Sequence, residues 1–359
     1  MNGMSASQRD AWLWAATLGP ATAFLPVTAA RAGAGGWVAP MLALPAVLAA
    51  DRLMRRVSRG GLVHNLCDTL GVGAARILTA IYVMWAVLLG GVQMYTCAQR
   101  LAAVEPAGGS WPVTGAVVLL AVWFAKKSPA VMARWSVPVL GWLLAGLGVV
   151  AGLALLQARW DNLVPLWSNG EGLLGAVVLA LGVLCVRVYG GFLWEGTERE
   201  AGGGLRWPAV VCGVLSVLLL AAQGSLGVEL AARMENPLLA LSRNIGVEGT
   251  FQRAESLVAS VLLLADLALV TLLLCAVETG VRRVWRVPRG RSAVVSAVAM
   301  LSGAAAGGGV PMRLLRVLIP AGNLLLGVGV PLLVLAVRRI RDKKQGAYLV
   351  PEKEEKGTS

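Results

Sequence analysis

Two glycine-containing dipeptides interrupt apolar segments of this 359-residue chain. Gly190 and Gly191 follow Tyr189 in the stretch VRVYGGFLWEG, and Gly19 precedes Pro20 in LGPATAFLP. Proline removes an amide donor from a helix and glycine tolerates open backbone, so both places can leave amide and carbonyl groups free. Such groups can bind the carboxylate and the ammonium of a small zwitterion. The structural alternative is that these residues only kink a membrane helix or let two helices pack closely.

Asp266 is an acidic residue inside a long apolar segment. It follows Leu257 by about nine residues, which at 1.5 Å per residue places it roughly 14 Å deep in a core about 30 Å thick. A carboxylate at that depth is costly, so we expect it to face the protein interior with a partner. It could carry a proton, bind a cation or pair with a substrate ammonium. The structural alternative is a neutral carboxyl group bonded to a neighbouring helix.

Arg187 and Glu278 lie nearer the ends of apolar segments. Arg187 is about 24 Å from Glu171 along the segment, which leaves it close to the opposite interface. Its side chain could snorkel toward water or pair with Glu195, or it could be a buried charge, like Asp266, that contacts substrate or takes part in coupling. Glu278 is expected at the interface.

The elements that position these residues are predicted to be ten transmembrane helices. Mean hydropathy is +0.72 and only 14% of residues are charged, too few to cover a soluble domain of this length. Apolar runs long enough to cross a bilayer recur along the chain. The predicted spans are 11–30, 33–50, 72–99, 111–125, 130–156, 171–193, 207–228, 253–279, 292–309 and 313–337. They form one transmembrane domain, residues 1–337, followed by a basic and then acidic tail, 338–359.

The positions of the basic residues predict an orientation. Most of the 32 Lys and Arg residues fall at the N-terminus, in alternate loops and in the C-terminal tail. The opposite side contains eight, including Arg100, just beyond the span 72–99, and Arg316, near the start of the span 313–337. By the positive-inside rule both termini are cytoplasmic. The same bias explains the net charge of +13 without a nucleic-acid partner.

Signatures of enzymes and metal proteins are missing from the sequence. There is no GxxxxGK phosphate loop, no HExxH and no GxSxG, so we expect neither an enzyme nor a bound cofactor. The cysteines have no metal-ligand spacing and lie mostly in apolar segments, which predicts neither a metal site nor a disulfide framework. They are Cys67, Cys97, Cys185, Cys212 and Cys275.

The ten spans divide into two halves of five. The segment with Gly19-Pro20 opens the first half, and the segment with Gly190-Gly191 opens the second. Interrupted spans at corresponding positions of two halves are typical of inverted-repeat transporters, with the binding site near the bilayer midplane.

The order and spacing of several short motifs resemble the spore germinant-receptor B-subunit family, the permease-like component of nutrient receptors. The resemblance covers almost the whole chain and starts at Ser7-Gln8, before helix one. It rests on FLPVTAARAGAGGWVAP, SRGGLVHNLCDTLG, WPVTGAVVLLAVWFAKKSPAVMARWS, NLVPLWSNGEGLLGA and ENPLLALSRNIGVEGTFQRAESLVAS. The chain departs from the family after Gly191, where FLWEGTEREAGGGLRW is short, acidic and glycine-rich.

This resemblance implies an all-α member of the amino acid/polyamine/organocation superfamily with a leucine-transporter-like fold. Such a subunit binds a nutrient, commonly an amino acid such as alanine, between broken helices one and six. It signals to partner A and C subunits in the spore inner membrane. The binding residues carried over by position are Gly19, Pro20, Ala21 and Thr22 in helix one, with Tyr189, Gly190 and Gly191 in helix six. Asp266 matches no family position, so its role depends on depth alone.

Three functional hypotheses follow. The first is a germinant-sensing subunit in which the ligand shifts a conformational population. The second is a secondary transporter that moves an amino acid with a proton or Na⁺ and uses Asp266 for coupling. The third is a structural subunit that only assembles a receptor.

Overall fold

The computed structural model describes residues 4–58, 60–104, 109–164, 170–193, 206–234, 236–244, 254–288, 290–306 and 312–348. The regular elements in these ranges are helical. The α-helices are α1 (Ala6–Arg31), α2 (Ala39–Val57), α3 (Leu62–Leu70), α4 (Val72–Val104), α5 (Ser110–Lys126), α6 (Pro129–Leu156), α7 (Gly170–Leu184), α8 (Arg206–Leu226), α9 (Val228–Arg233), α10 (Pro237–Asn244), α11 (Ala254–Trp285), α12 (Arg291–Ala306), α13 (Met312–Leu324) and α14 (Val330–Tyr348).

Helices occupy all ten predicted spans. Seven helical segments of the described chain are long and apolar enough to cross a membrane: Ala34–Val57, Val72–Val104, Pro129–Leu156, Gly172–Leu193, Trp207–Leu226, Glu255–Trp285 and Leu314–Arg341. The 26-residue α1 and the shorter apolar helices α5 and α12 occupy the other three predicted positions. The all-α polytopic fold is therefore confirmed, and the helices are compatible with ten spans. α14 continues to Tyr348, within the predicted tail.

The outer surface of the bundle is apolar, as a lipid-facing surface must be. Large hydrophobic side chains such as Leu119, Trp142 and Met84 are about two-thirds or more exposed. Many of the buried positions are alanines, which allow helix backbones to approach closely. Close packing between helices replaces the hydrophobic driving force that is missing in lipid.

α1 lies at the centre of the bundle and packs against α11, α6 and α7. Its start is fixed by a reciprocal capping pair: the Gln8 amide donates to Ser5 Oγ, and the Ser5 amide donates to Gln8 Oε1, both at 3.3 Å. Further along, Trp12 donates its ring N–H to the Ala268 carbonyl of α11 at 2.9 Å. These contacts place α1 and α11 side by side in the interior.

The predicted break in helix one is wrong. α1 is a continuous helix from Ala6 to Arg31, with Pro20 and Pro26 inside it. Pro20 removes one backbone hydrogen bond. The carbonyl that loses its donor is that of Ala16, so the bonds that the Thr22 hydroxyl donates to the carbonyls of Leu18 and Gly19, at 2.9 and 3.0 Å, do not replace it. Helices on all sides of α1 favour the continuous conformation.

Helix six changes geometry where the glycine pair lies. α7 ends at Leu184 and continues as a 3₁₀ helix, Cys185–Leu193, whose residues are all buried. A 3₁₀ stretch of this length is uncommon and often marks a functional or strained segment. The acidic residues that follow, including Glu195, fall within 194–205, outside the described residues.

Glu278 is buried within the protein, where α11 meets the start of α12, and its position at the membrane interface stays a prediction. Its carboxylate accepts hydrogen bonds from the Gly290 amide at 2.7 Å, the Ala293 amide at 3.3 Å and the Ser292 hydroxyl. These donors form the N-terminus of α12, where a negative charge is stabilised by unpaired amides and the helix dipole. The contact joins the end of α11 to the start of α12.

Candidate functional site

Asp266 is fully buried on α11, and its two carboxylate oxygens bind two side chains of α4. Gln93 Nε2 donates to Oδ1 at 2.7 Å, and Arg100 Nη2 donates to Oδ2. Arg100 is itself only 3% exposed. The prediction that Asp266 faces the interior with a partner is confirmed, and the partner is a guanidinium.

Arg100 is a helix residue, so its assignment to an outer loop is wrong. The predicted span ended at residue 99, whereas α4 continues to Val104. Gln93 and Arg100 are seven residues apart, which is about two helical turns and places both on one face. That spacing is the signal in the sequence from which the pair could have been found.

Gly19 of α1 completes this group. A Cβ atom at Gly19 would lie 3.0 Å from Asp266 Oδ1 and 3.1 Å from Gln93 Nε2, so the α1 backbone lies directly against both polar side chains. We call Gly19, Gln93, Arg100 and Asp266 the Asp266 cluster. The other predicted residues of helix one are buried close by: Pro20, Ala21 and Thr22.

The predicted residues of helix six lie elsewhere. A Cβ atom at Gly190 would meet the Leu13 side chain at 2.8 Å, and one at Gly191 would meet Met54 and Ser58 at 2.6 and 2.7 Å. Leu13 precedes Gly19 by about 9 Å along α1. Gly190 therefore contacts α1 at Leu13, about 9 Å along the helix from Gly19, and the two glycine dipeptides do not meet.

Tyr189 belongs to an aromatic group with Tyr82 and Phe192. Its hydroxyl donates to the Tyr82 carbonyl at 3.2 Å, and the Tyr82 hydroxyl donates to the Leu326 carbonyl at 2.6 Å. The Tyr82 ring lies edge-on to both other rings, with centroids 6.2 and 5.4 Å away. This group fixes the 3₁₀ segment against α4 and the residues after α13.

Arg187 is buried, so the snorkelling prediction is wrong. Its Nη2 donates to Asp51 of α2 at 2.5 Å, and its guanidinium carbon lies 3.8 Å from the centre of the Trp14 ring. Nε and Nη1 have no hydrogen-bond partner among the described residues. A depth count along one helix misses this arrangement, because the counter-charge and the ring belong to two other helices.

Arg187 lies beside a small cavity with four other charged residues. Asp10 accepts from Arg9 at 3.0 Å and from Arg55 at 3.2 Å, and Asp51 pairs with Arg187. We call these five residues the Arg187 cluster. They line a cavity of about 30 Å³, room for about two water molecules and too small for an amino acid. Ion pairs therefore close the bundle where the first turns of α1, the last turns of α2 and the 3₁₀ segment meet.

A second cavity lies next to the Asp266 cluster. It measures about 20 Å³, and its walls include Ala23 and Phe24 of α1, Thr96 of α4 and Arg316 of α13. Ala23 is four residues from Gly19, and Thr96 lies between Gln93 and Arg100, so the cavity is about one helical turn from the cluster. Arg316, which lies within the last predicted span, is a buried residue of α13.

We expect Arg187→Lys to lower the thermal stability of the protein. Lysine cannot reproduce the planar guanidinium that stacks on Trp14 and pairs with Asp51, and a desolvated cation–π contact is worth about 2 kcal/mol. The midpoint of thermal unfolding in detergent micelles measures the effect. Arg134→Lys, at an exposed position of α6, is the control. Equal midpoints for the two variants would contradict the stacking contribution.

The apolar helices and their apolar outer surface define a multi-pass membrane protein. The chain belongs to the spore germination protein family, whose model matches residues 5–302. The resemblance found in the motifs is thereby confirmed. No curated protein matches the sequence.

The three-dimensional structure is similar to the crystal structure of MhsT in complex with L-phenylalanine. The TM-score is 0.65 over 94% of this chain and 89% of that chain, at 15% sequence identity. At this identity the likeness establishes the fold, which is the predicted leucine-transporter-like one. Family and fold together identify a permease-like germinant receptor subunit or transporter.

Proposed function

We propose that the protein is the nutrient-sensing, permease-like subunit of a spore germinant receptor. It binds a small amino acid such as alanine and signals to A and C subunits, in the spore inner membrane with both termini cytoplasmic. It acts without catalysis and without a cofactor. Membership of the spore germination protein family and the transporter-like fold support this proposal.

The observation that carries the proposal is the position of Gly19. This glycine leaves the α1 backbone open to a buried carboxylate and a buried amide, in the centre of an otherwise apolar bundle. A small zwitterion needs buried polar partners of this kind, since an unpaired charge in such a place is very costly. The proposed site is therefore at α1, α4 and α11.

Ligand binding requires a conformational change. The cavities beside the two charge clusters are both smaller than an amino acid, so neither can hold one as it stands. A ligand that binds only a more open conformation shifts the population toward that conformation. In a sensing subunit, the partner subunits read this shift.

We expect Gly19→Val to abolish amino-acid binding. The valine side chain would enter the space between Gly19 and the Asp266 and Gln93 side chains. The measurement is calorimetry or thermal-shift titration of the purified chain, with a screen of common amino acids starting from L-alanine. Gly148→Val is the matched control, because nothing lies within 4 Å of a Cβ at that exposed glycine of α6. Binding that survives in the Gly19 variant would place the ligand elsewhere.

The alternative function is a secondary amino-acid transporter coupled to a proton or Na⁺ through Asp266. The burial of this carboxylate favours such a role, whereas its pairing with Arg100 already neutralises the charge. Uptake of labelled amino acid into proteoliposomes, with and without a proton or Na⁺ gradient, separates the two functions. Binding without gradient-dependent uptake supports the sensor, and robust coupled uptake contradicts it.

A further inference from the structure

We propose that Arg100 and Asp266 are the two charged groups that recognise the amino acid, and that their mutual ion pair is the ligand-free form of the site. The ligand carboxylate binds Arg100, the ligand ammonium binds Asp266, and the internal pair separates to admit both. This inference rests on the proposed function, and it adds the chemistry by which the site selects its ligand.

The first support is the match of charges. Arg100 and Asp266 side chains are 4% and 0% exposed, and each has an opposite charge as its partner. A zwitterion has the same two charges a short distance apart. When the Arg100–Asp266 pair is replaced by one ion pair between Arg100 and the ligand and another between Asp266 and the ligand, every buried charge still has an opposite charge as its partner. A ligand with one charge would leave either Arg100 or Asp266 uncompensated, which is strongly unfavourable.

The second support is the polar environment of the pair. Asp266 Oδ1 accepts from Gln93 and lies beside the α1 backbone at Gly19, so one oxygen keeps a partner when Arg100 moves away. The three α4 residues, Gln93, Thr96 and Arg100, follow one another at intervals of three and four residues along one face. This face offers an amide, a hydroxyl and a guanidinium to one ligand.

The third support is the adjacent cavity. Thr96, Ala23 and Phe24 line it, and each belongs to a helix that contributes to the Asp266 cluster. Its present volume is about 20 Å³, room for about one water molecule. Arg100 is one helical turn from Thr96, so rotation of its side chain away from Asp266 enlarges the same space. A small side chain such as a methyl group fits such an enlarged cavity best.

The test compares ligands that lack one charge with protein variants that lack the residue proposed to bind that charge. Binding of L-alanine, L-alanine methyl ester and N-acetyl-L-alanine is measured by calorimetry on the purified full chain, at about pH 6, where the ester amine is protonated. If the screen described above selects another amino acid, its ester and N-acetyl derivative are used. In the natural sequence we expect each derivative to bind at least about tenfold more weakly than the parent amino acid.

The variants assign each ligand charge to one residue. In Arg100→Gln we expect the amino acid and its ester to bind equally, while the N-acetyl derivative stays weaker. In Asp266→Asn we expect the amino acid and its N-acetyl derivative to bind equally, while the ester stays weaker. In the double variant Arg100→Gln/Asp266→Asn, which has no unpaired buried charge and serves if a single variant does not fold, both differences disappear.

Two negative results have different meanings. If no amino acid binds the natural sequence, the proposed function fails, and this inference fails with it. If an amino acid binds but the ester and N-acetyl differences persist unchanged in the variants, the pair has a structural role only. In that case the inference is overturned while the proposed function stands.

Discussion

Replacement of Arg100 by glutamine is expected to reduce the free energy of unfolding by about 3–5 kcal/mol. The change leaves the Asp266 carboxylate buried without its counter-charge, and the Gln93 amide that still donates to it is neutral. The double variant Arg100→Gln/Asp266→Asn should recover most of this loss. A neutral amide pair removes both charges, and neutral replacements of buried ion pairs are often tolerated.

Unfolding by heat or by a denaturing detergent, followed in micelles, measures these differences. Arg76→Gln is the matched control, because Arg76 is an exposed residue of the same helix, α4. Its effect should stay within about 0.5 kcal/mol. A double variant no more stable than Arg100→Gln alone would show that the loss comes from something other than the uncompensated carboxylate.

Gly182→Ala is expected to destabilise the protein by about 1–3 kcal/mol or more. A Cβ atom at Gly182 would lie 2.3 Å from the Pro320 carbonyl oxygen and 2.7 Å from the carbonyl carbon. Both are backbone atoms of α13, so no side chain can rotate away. The helices α7 and α13 must then separate along their contact, and neighbouring contacts weaken with them.

Gly175→Ala on the same helix is the control for the second prediction. Nothing lies within 4 Å of a Cβ atom at this exposed glycine, so the added methyl group should stabilise α7 by up to about 1 kcal/mol. The two variants carry the same chemical change on one helix and should shift the unfolding midpoint in opposite directions. Equal shifts would mean that the backbone contact at Pro320 contributes nothing.

The sequence predicted the fold better than the contacts inside it. Long apolar runs predicted the membrane helices, and the motif order predicted the leucine-transporter-like fold. Both can be recognised from contiguous stretches of sequence, without knowledge of contacts between helices. The burial of Asp266 was predictable for a similar reason: its depth depends only on its position within one segment. A partner on another helix was expected, but depth alone could not name it.

Arg100, Glu278 and Arg187 show why the remainder was harder. Arg100 fell one residue beyond a predicted span, and an error of that size in a helix end turned a buried ion-pair partner into a loop residue. Glu278 and Arg187 were placed at interfaces by counting along one helix. Their environments come from the α12 N-terminus in one case and from α1 and α2 in the other.

The sequence alone also could not predict that α1 is a continuous helix. Gly19-Pro20 predicts a break if only local backbone preferences are considered. Tertiary packing decides the outcome, because α11, α6 and α7 surround α1.

An unbroken α1 has a mechanical consequence. One helix carries Arg9 and Asp10 in one charge cluster and Gly19 in the other, about 14 Å further along. A hinge between them would absorb a displacement at either end, whereas a stiff rod transmits it. If Arg100 separates from Asp266 as proposed, a displacement of α1 at Gly19 is carried along the helix to the ion pairs around Arg187. The two charge clusters are thus mechanically linked through one helix.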